Sequence, residues 1–253
     1  MYAEERLRLI TEQARRDGRV DVAGLAEQFG VTTETIRRDL STLERQSLVK
    51  RVHGGAIPME RLGFEPGVAR RSGLMVAEKD RIGKAALAEV PEEGAVLIDA
   101  GTTTAQFAQL LPPDRELTVV TNCAPIAVAV AVKPRIKVLL LGGRVRGRTL
   151  AAVGDWTTAA LSQIYIDVAF VGTNGFSAQR GLTTPDPAEA AAKRAMIDAA
   201  RRTVVLADHT KFGADALMRF AALRDVDVLV TNTGLDPDLV AEIEGAGPRV
   251  VRA

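Results

Sequence analysis

The heptapeptide ETIRRDL, Glu34 to Leu40, places two adjacent arginines inside a segment with helical spacing. Arginine in such a setting has two uses. It can lie solvated on a helix surface, or its planar guanidinium can bond a phosphate or the O6 and N7 edge of guanine. On a helical wheel Ile36, Leu40 and Leu43 define one apolar side, spaced i, i+4, i+7. Glu34, Arg38, Ser41 and Arg45 fall opposite, with Arg37 and Thr42 on the flanks. Thr32 or Thr33 caps the helix at an end whose N–H groups favour phosphate. Glu34 can accept from cytosine N4. Downstream, Lys50, Arg51 and His53 occupy a β-prone stretch that closes on Gly-Gly, suited to touching a nucleic-acid backbone or minor groove. The plain alternative is an ordinary solvated face. Glu34 and Arg38 stand four apart, a pair worth a few tenths of a kcal/mol on any exposed helix. Residues 1–57 hold ten Lys/Arg against nine Asp/Glu, so the segment is hardly basic as a whole.

A second chemistry lies further along. In LIDAGTTTAQFAQLL an apolar run ends at Asp99, Gly101 turns the chain, and Thr102, Thr103 and Thr104 open a helix. Hydroxyls and backbone N–H groups at a helix start suit an anion, a phosphate above all. No Gly-Lys-Ser/Thr follows, so a nucleoside triphosphate is not indicated. The alternative is a strand-to-helix turn capped by threonine. In LADHTKFG another run ends at Asp208, with Lys211 three residues on. A carboxylate there can hold sugar hydroxyls and the ammonium a phosphate; equally, Asp208 can be a helix cap, Lys211 an exposed lysine and His209 a solvent-facing residue. Glycines at other run ends, Gly142, Gly143 and Gly172, either turn the chain or let a ligand approach backbone. Asp99, Asn122, Gly142, Gly172 and Asp208 all end apolar runs, and ligands of open α/β sheets gather at the carboxyl ends of strands. Glu189 reads best as a solvated carboxylate in the first turn of a helix. Two histidines and one cysteine lack metal-ligand spacing. Cys123 reads as a packed thiol, and Trp156 as core or interface.

These residues need elements to position them. Leu7, Ile10 and Ala14 make one helical stripe that stops at Gly18. Asp21 caps a second helix through Val22, Leu25, Ala26 and Phe29, which Gly30 ends. The arginine-bearing helix is the third, and a small hairpin follows it. Two helices joined by a short turn, the second polar and basic outward, match a winged helix-turn-helix. From about residue 75 the pattern changes. Seven short apolar runs, AVLIDA, LTVVTN, IKVLLLGG, DVAFVG, TVVLAD, DVLVTN and RVVRA, are mostly separated by helical spacing. That alternation predicts a mostly parallel sheet covered on both faces, α/β overall. The expected division is 1–57 for the small helical domain, 58–74 for a Pro- and Gly-bearing linker, and 75–253 for the α/β domain.

Bulk composition is ordinary for a globular chain: 253 residues, 47% hydrophobic, 26% charged, formal net charge +1. One cysteine forbids an internal disulfide, and no run approaches 18 apolar residues. No signal peptide is evident, so a soluble cytoplasmic protein is the expectation.

VTTETIRRDLSTLERQSLVKRVHGGA resembles the N-terminal signature of the DeoR family of bacterial transcriptional regulators. EKDRIGKAA, DAGTTTAQFAQLL, VVTN, LLGG, VGTNGF…GLTT and ADHTKFG continue the likeness through nearly the whole chain. One departure is Ser47, where the family usually has glycine, which weakens the expected left-handed helix cap. The resemblance implies a homo-oligomeric repressor of sugar catabolism or uptake that binds operator DNA and is released by a phosphorylated sugar, with no cofactor. It implies a second domain similar to phosphosugar isomerases, with the phosphate on the threonine loop and the sugar near Asp99, Asp208 and Lys211. The opening MYAEER resembles members found near fructose-uptake genes. The rival reading is an enzyme, a phosphosugar isomerase or deaminase with an appended DNA-binding domain, in which Asp99 or Asp208 would be the base.

Overall fold

The apolar stripes and runs organise two compact units, Met1–Pro66 and Gly67–Ala253. The structure, a computed structural model, describes residues 3–46, 48–58 and 65–253, except the side chain of Arg15. In the first unit α1 (Ala3–Asp17), α2 (Val22–Phe29) and α3 (Thr33–Arg45) pack around Ile10, Leu25, Ile36, Leu40 and Leu43, all buried. Asp21 caps α2 by accepting the Gly24 N–H at 2.6 Å, and Gly30 ends it in the left-handed region, φ 62°. Thr32, rather than Thr33, caps α3, accepting the Thr35 N–H at 3.2 Å. The hairpin is β2 (Val49–Val52) and β3 (Gly55–Pro58), and β3 also pairs with the two-residue β1 (Val20–Asp21), which periodicity did not show. A Cβ on Gly55 would stand 1.9 Å from the Val20 carbonyl oxygen, so the wing seats on β1 only with glycine there. After α3, Gln46 has φ −82° and ψ 2°; Ser47, where the cap was expected to weaken, lies outside the described residues.

The expected linker, 58–74, divides differently. Met59 to Phe64 lie outside the described residues, and Gly67 onward belongs to the second unit. There α4 (Val68–Ser72) forms, and Met75, at φ 52°, turns the chain into α5 (Val76–Ala86).

All seven apolar runs become the strands of one parallel sheet. They are β4 (Glu93–Ile98), β5 (Glu116–Thr121), β6 (Ile136–Leu140), β9 (Val168–Gly172), β12 (Thr203–Leu206), β14 (Val228–Thr231) and β15 (Arg249–Arg252). Their order is β15-β14-β12-β9-β4-β5-β6. Helices α6 (Thr102–Leu110), α7 (Ala124–Ala131), α8 (Asp155–Leu161), α9 (Pro187–Asp198) and α10 (Pro237–Gly245) alternate with them. Alternate strand residues feed two cores: Val96, Ile98 and Phe170 pack with Ile82 and Phe107 on one face, and Leu97, Ala169 and Val171 with Met196 on the other. Two small antiparallel additions escaped the sequence pattern. They are the pair β7 (Arg144–Val145) with β8 (Ala152–Val153), and the sheet of β10 (Gly175–Ser177), β11 (Gly181–Thr184) and β13 (Met218–Ala221). Trp156 lies outside the core, 80% exposed at the start of α8. Cys123 is a buried free thiol whose burial pushes its pKa up.

From β4 the chain moves to β5 and β6 on one side, then returns to β9, β12, β14 and β15 on the other. The order therefore reverses between β4 and β9. Connections leave that point in opposite directions and open a crevice at the carboxyl ends of the two strands.

Candidate functional sites

On α3 the buried Ile36, Leu40 and Leu43 force the opposite side into solvent. Thr32, Thr33, Glu34, Arg37 and Arg38 are exposed, and Ser41 is half-buried. Glu34 pairs with Arg37 at 3.6 Å rather than with Arg38, the partner that spacing suggested. Among the described residues the Arg38 guanidinium has no hydrogen-bond or ion-pair partner, which leaves all five of its donors available. The wing is tied to the same helix: the Arg51 N–H donates to Glu44 at 2.9 Å and its guanidinium to the Ser41 hydroxyl at 3.1 Å. His53 is exposed at the hairpin turn, where its carbonyl accepts from Arg19 at 2.7 Å; Lys50 is half-buried on β2. These residues form one polar surface of helix and hairpin, the shape that enters a major groove with a wing beside it.

Sequence reading missed what fixes α3. Asp39, next to the two arginines, is buried and takes Arg6 of α1 at 2.5 Å and 3.2 Å. The bond to Asp39 holds the Arg6 guanidinium above its ordinary pKa. Asp39 stands three residues after Ile36 and four before Leu43, so helical spacing alone placed it on the buried side.

At the crevice of the second unit, Asp99 follows β4 and is almost wholly buried. It accepts the Gly172 N–H at 3.1 Å and is ion-paired with Lys193 of α9, whose ammonium also donates to the Gly172 carbonyl at 2.9 Å. Burial pushes the Asp99 carboxyl above its usual range, against the pull of Lys193. Gly101 and Thr102 are half-buried at the start of α6, which no side chain caps. Thr103 is nearly buried, and Thr104 is fully buried with its hydroxyl donated to the Gly101 carbonyl at 3.1 Å.

Asn122 is a clamp. It accepts the Ala100 N–H at 3.0 Å and donates to the Ala152 carbonyl at 3.1 Å, so its amide already joins the ends of β4 and β8. Gly142 is exposed, and its carbonyl accepts the Thr157 hydroxyl at 2.7 Å. A Cβ on Gly143 would stand 2.3 Å from the Thr157 hydroxyl oxygen and 2.8 Å from the Val153 carbonyl; close packing accounts for this glycine.

Asp208, at the end of β12, is buried and caps the short turn His209–Lys211 through the Thr210 N–H at 3.0 Å. Burial pushes its carboxyl up, but Lys211, Thr210 and Lys79 together outweigh that and hold it below its ordinary value. His209 does not simply face solvent; it is half-buried and bonded to Asn232. Lys79 belongs to this group and was missed. It lies on α5, which packs on α6, β12 and β14. Burial lowers its pKa to about 8, with Asp208 raising it and Lys211 and Arg71 lowering it further. Lys79 and Lys211 thus share one electrostatic neighbourhood with the Asp208 carboxylate.

Glu189 corrects a sequence reading. It is buried, not solvated, and takes Arg146 at 2.5 Å, with the Thr149 hydroxyl on the same oxygen. Arg146 also reaches Asp186 at 3.2 Å. Glu189 and Lys193 stand four apart on α9, so both face inward. Among the described residues no group of His, Cys, Asp and Glu is arranged to hold a metal ion, and no helix is long and apolar enough to cross a membrane.

The two surfaces, a polar helix with a wing and a charged crevice in an α/β sheet, have counterparts in known proteins. A family model described as the DeoR-like helix-turn-helix domain matches residues 6–61, and one described as the DeoR C terminal sensor domain matches residues 75–233. The HTH-type transcriptional regulator GlpR of Haloferax volcanii is 36% identical over 98% of this chain and 97% of its own. The glycerol-3-phosphate regulon repressor of Escherichia coli is 32% identical over 88% of each. Among solved structures, ribose 5-phosphate isomerase A of Methanocaldococcus jannaschii aligns at 15% identity over 55% of each chain, with a TM-score of 0.41. The molecule is a DNA-binding transcriptional regulator of the helix-turn-helix class. Within that class the chain belongs to the DeoR family.

Proposed function

We propose that this protein represses a sugar-catabolism or sugar-uptake operon and releases its operator when a phosphorylated sugar binds the second unit. The observation that carries this is the pair of ammoniums, Lys79 and Lys211, acting on Asp208 just after β12, in a chain whose Arg38 has no partner among the described residues. A small dianion needs few, partly desolvated cations; a duplex needs exposed ones along a surface. Thr32, Thr33, Glu34, Arg37, Arg38, Ser41, Lys50, Arg51 and His53 form the operator surface. Gly101 with Thr102 and Thr103, together with Lys79 and Lys211, receive the phosphate, and Asp208 receives sugar hydroxyls. Thr104, Asn122, Gly142 and Gly143 shape the loops around them, and Asp99 anchors the crevice floor through Lys193. The relatives' names, a GlpR regulator and a glycerol-3-phosphate regulon repressor, support both the repressing sign and a phosphorylated effector.

The protein is cytoplasmic, acts as a homo-oligomer that pairs two winged helices on repeated half-sites, and turns over no substrate. Against an isomerase stands the state of its carboxylates: Asp99 is committed to Lys193, and Glu189 to Arg146 and Thr149. The test is operator binding by fluorescence anisotropy on the protein's own promoter, titrated with a panel of sugar phosphates. One member should lower affinity, and affinity should fall with salt by ~0.9 log units per log unit for each phosphate neutralised. No promoter preference, or no response to any member, would refute the assignment; turnover of a member would install the enzyme in its place.

A further inference from the structure

Two of the ties on Gly67 to Leu74, the stretch through which the second unit continues toward the DNA-binding unit in sequence, come from beyond it. At its start the Val68 N–H donates to the Arg148 carbonyl at 2.8 Å. Arg148 lies in the same loop as Arg146 and Thr149, which grip Glu189. At its end the Lys79 ammonium donates to the carbonyls of Arg71 at 2.5 Å and Leu74 at 2.6 Å. The Arg71 carbonyl lies in the last turn of α4, and the Leu74 carbonyl stands two residues past its end. Between the tie and α5 stands Met75 at φ 52° and ψ 41°, a left-handed conformation that a side chain with a Cβ adopts only at a cost. Packing does little to enforce it, because Leu74 and Val76 on either side are 48% and 49% exposed. The Lys79 ammonium is thus one of the groups that hold the turn, beside its backbone bonds.

We propose that Lys79 is a latch with two alternative partners: it either holds the α4–α5 turn through the Arg71 and Leu74 carbonyls, or turns to the effector's phosphate and lets residues 67–75 loosen. This rests on the effector site proposed above. The phosphate competes because a dianion offers the ammonium charge–charge attraction, which a neutral carbonyl does not. Losing the ammonium removes both bonds at once and leaves the strained Met75 turn to its backbone bonds.

Hydrogen exchange of the full-length protein, read at residues 67–75, tests the latch. Without any added anion, Lys79→Met should exchange there about tenfold faster than the parent, as expected when two charge-assisted bonds are lost. Val68→Pro guards against a Lys79 variant that fails to fold. It removes the other tie at a first helical position that accepts proline, and it should shift exchange in the same direction. Fructose 6-phosphate and inorganic phosphate, each against sodium chloride of equal ionic strength, should speed exchange in the parent and add nothing in Lys79→Met. Unchanged exchange in a folded Lys79→Met overturns the latch, whatever Val68→Pro does. A phosphate that raises the melting temperature of the parent yet leaves residues 67–75 unchanged also overturns it, and spares the effector site. Faster exchange in Lys79→Met, with no tested sugar phosphate bound, keeps the tie and removes the effector site.

Discussion

The two units use charge in opposite ways. On the first, Glu34, Arg37, Arg38 and Arg51 lie on the surface, in water, with a loose pair at 3.6 Å and, among the described residues, no partner for the Arg38 guanidinium. On the second, Asp99, Lys193, Glu189 and Asp208 are buried, and Arg146 nearly so, each bonded to a named neighbour. Salt screens exposed charges over about 8 Å at physiological strength, so they attract a polyanion by number and remain adjustable. Buried charges are screened little, and each one left unpaired is expensive. A surface for DNA thus needs donors held ready and unspent, whereas the second unit commits its buried charges to one another. Even within the first unit the rule holds in miniature: Arg6 with Asp39 is buried and structural, while the neighbouring Arg38 is exposed and unspent.

That contrast can be broken by exchanging charge for hydrocarbon in each place. Lys193→Met strands Asp99 in the interior and should cost about 3–5 kcal/mol of stability in urea unfolding. The double variant with Asp99→Leu should recover part of that loss; an equal or greater loss would mean that the pair is not the source. Arg6→Met, at a pair nearer the surface, should cost about 2 kcal/mol. Arg38→Ala should leave stability within about 0.5 kcal/mol while weakening operator binding by about 1–3 kcal/mol in an anisotropy titration. If stability fell and binding did not, α3 would be an ordinary surface. Lys211→Met should weaken sugar-phosphate binding about tenfold by calorimetry with operator affinity retained.

The smallest effect is on pH. Lys79, brought to about 8, is half neutral at that pH, so it attracts a phosphate fully below about pH 7 and progressively less above it. Sugar phosphates are already dianions above their second pKa of about 6, so a decline in affinity between about pH 7 and pH 9 reports the protein, not the ligand. A flat calorimetric profile across that range would remove Lys79 from the phosphate's neighbours.

Much of this was legible in the residues. The stripes of Leu25 and Ala26, and of Ile36, Leu40 and Leu43, announced helices, and local capping at Asp21 and Thr32 placed their ends. Seven apolar runs announced the seven strands of the sheet. The pairs β7–β8 and β10–β11 were too short to show a period, and Val20–Asp21 becomes a strand only because Gly55 lets β3 approach. Glu189 looked solvated because a first-turn carboxylate usually is, and nothing nearby in sequence named Arg146.

What the sequence determined by itself was therefore local: which side of each helix turns inward, where strands end, and that Arg38 faces water. Only the tertiary structure decided which charges meet. Lys193 reaches Asp99 across 94 positions of chain, and Lys79 reaches the neighbourhood of Asp208, because the strand order places β4, β9 and β12 side by side. The physical reason is that periodicity reports burial one residue at a time through solvent exclusion, whereas the partner of a buried charge is set by whichever distant backbone the sheet brings opposite it.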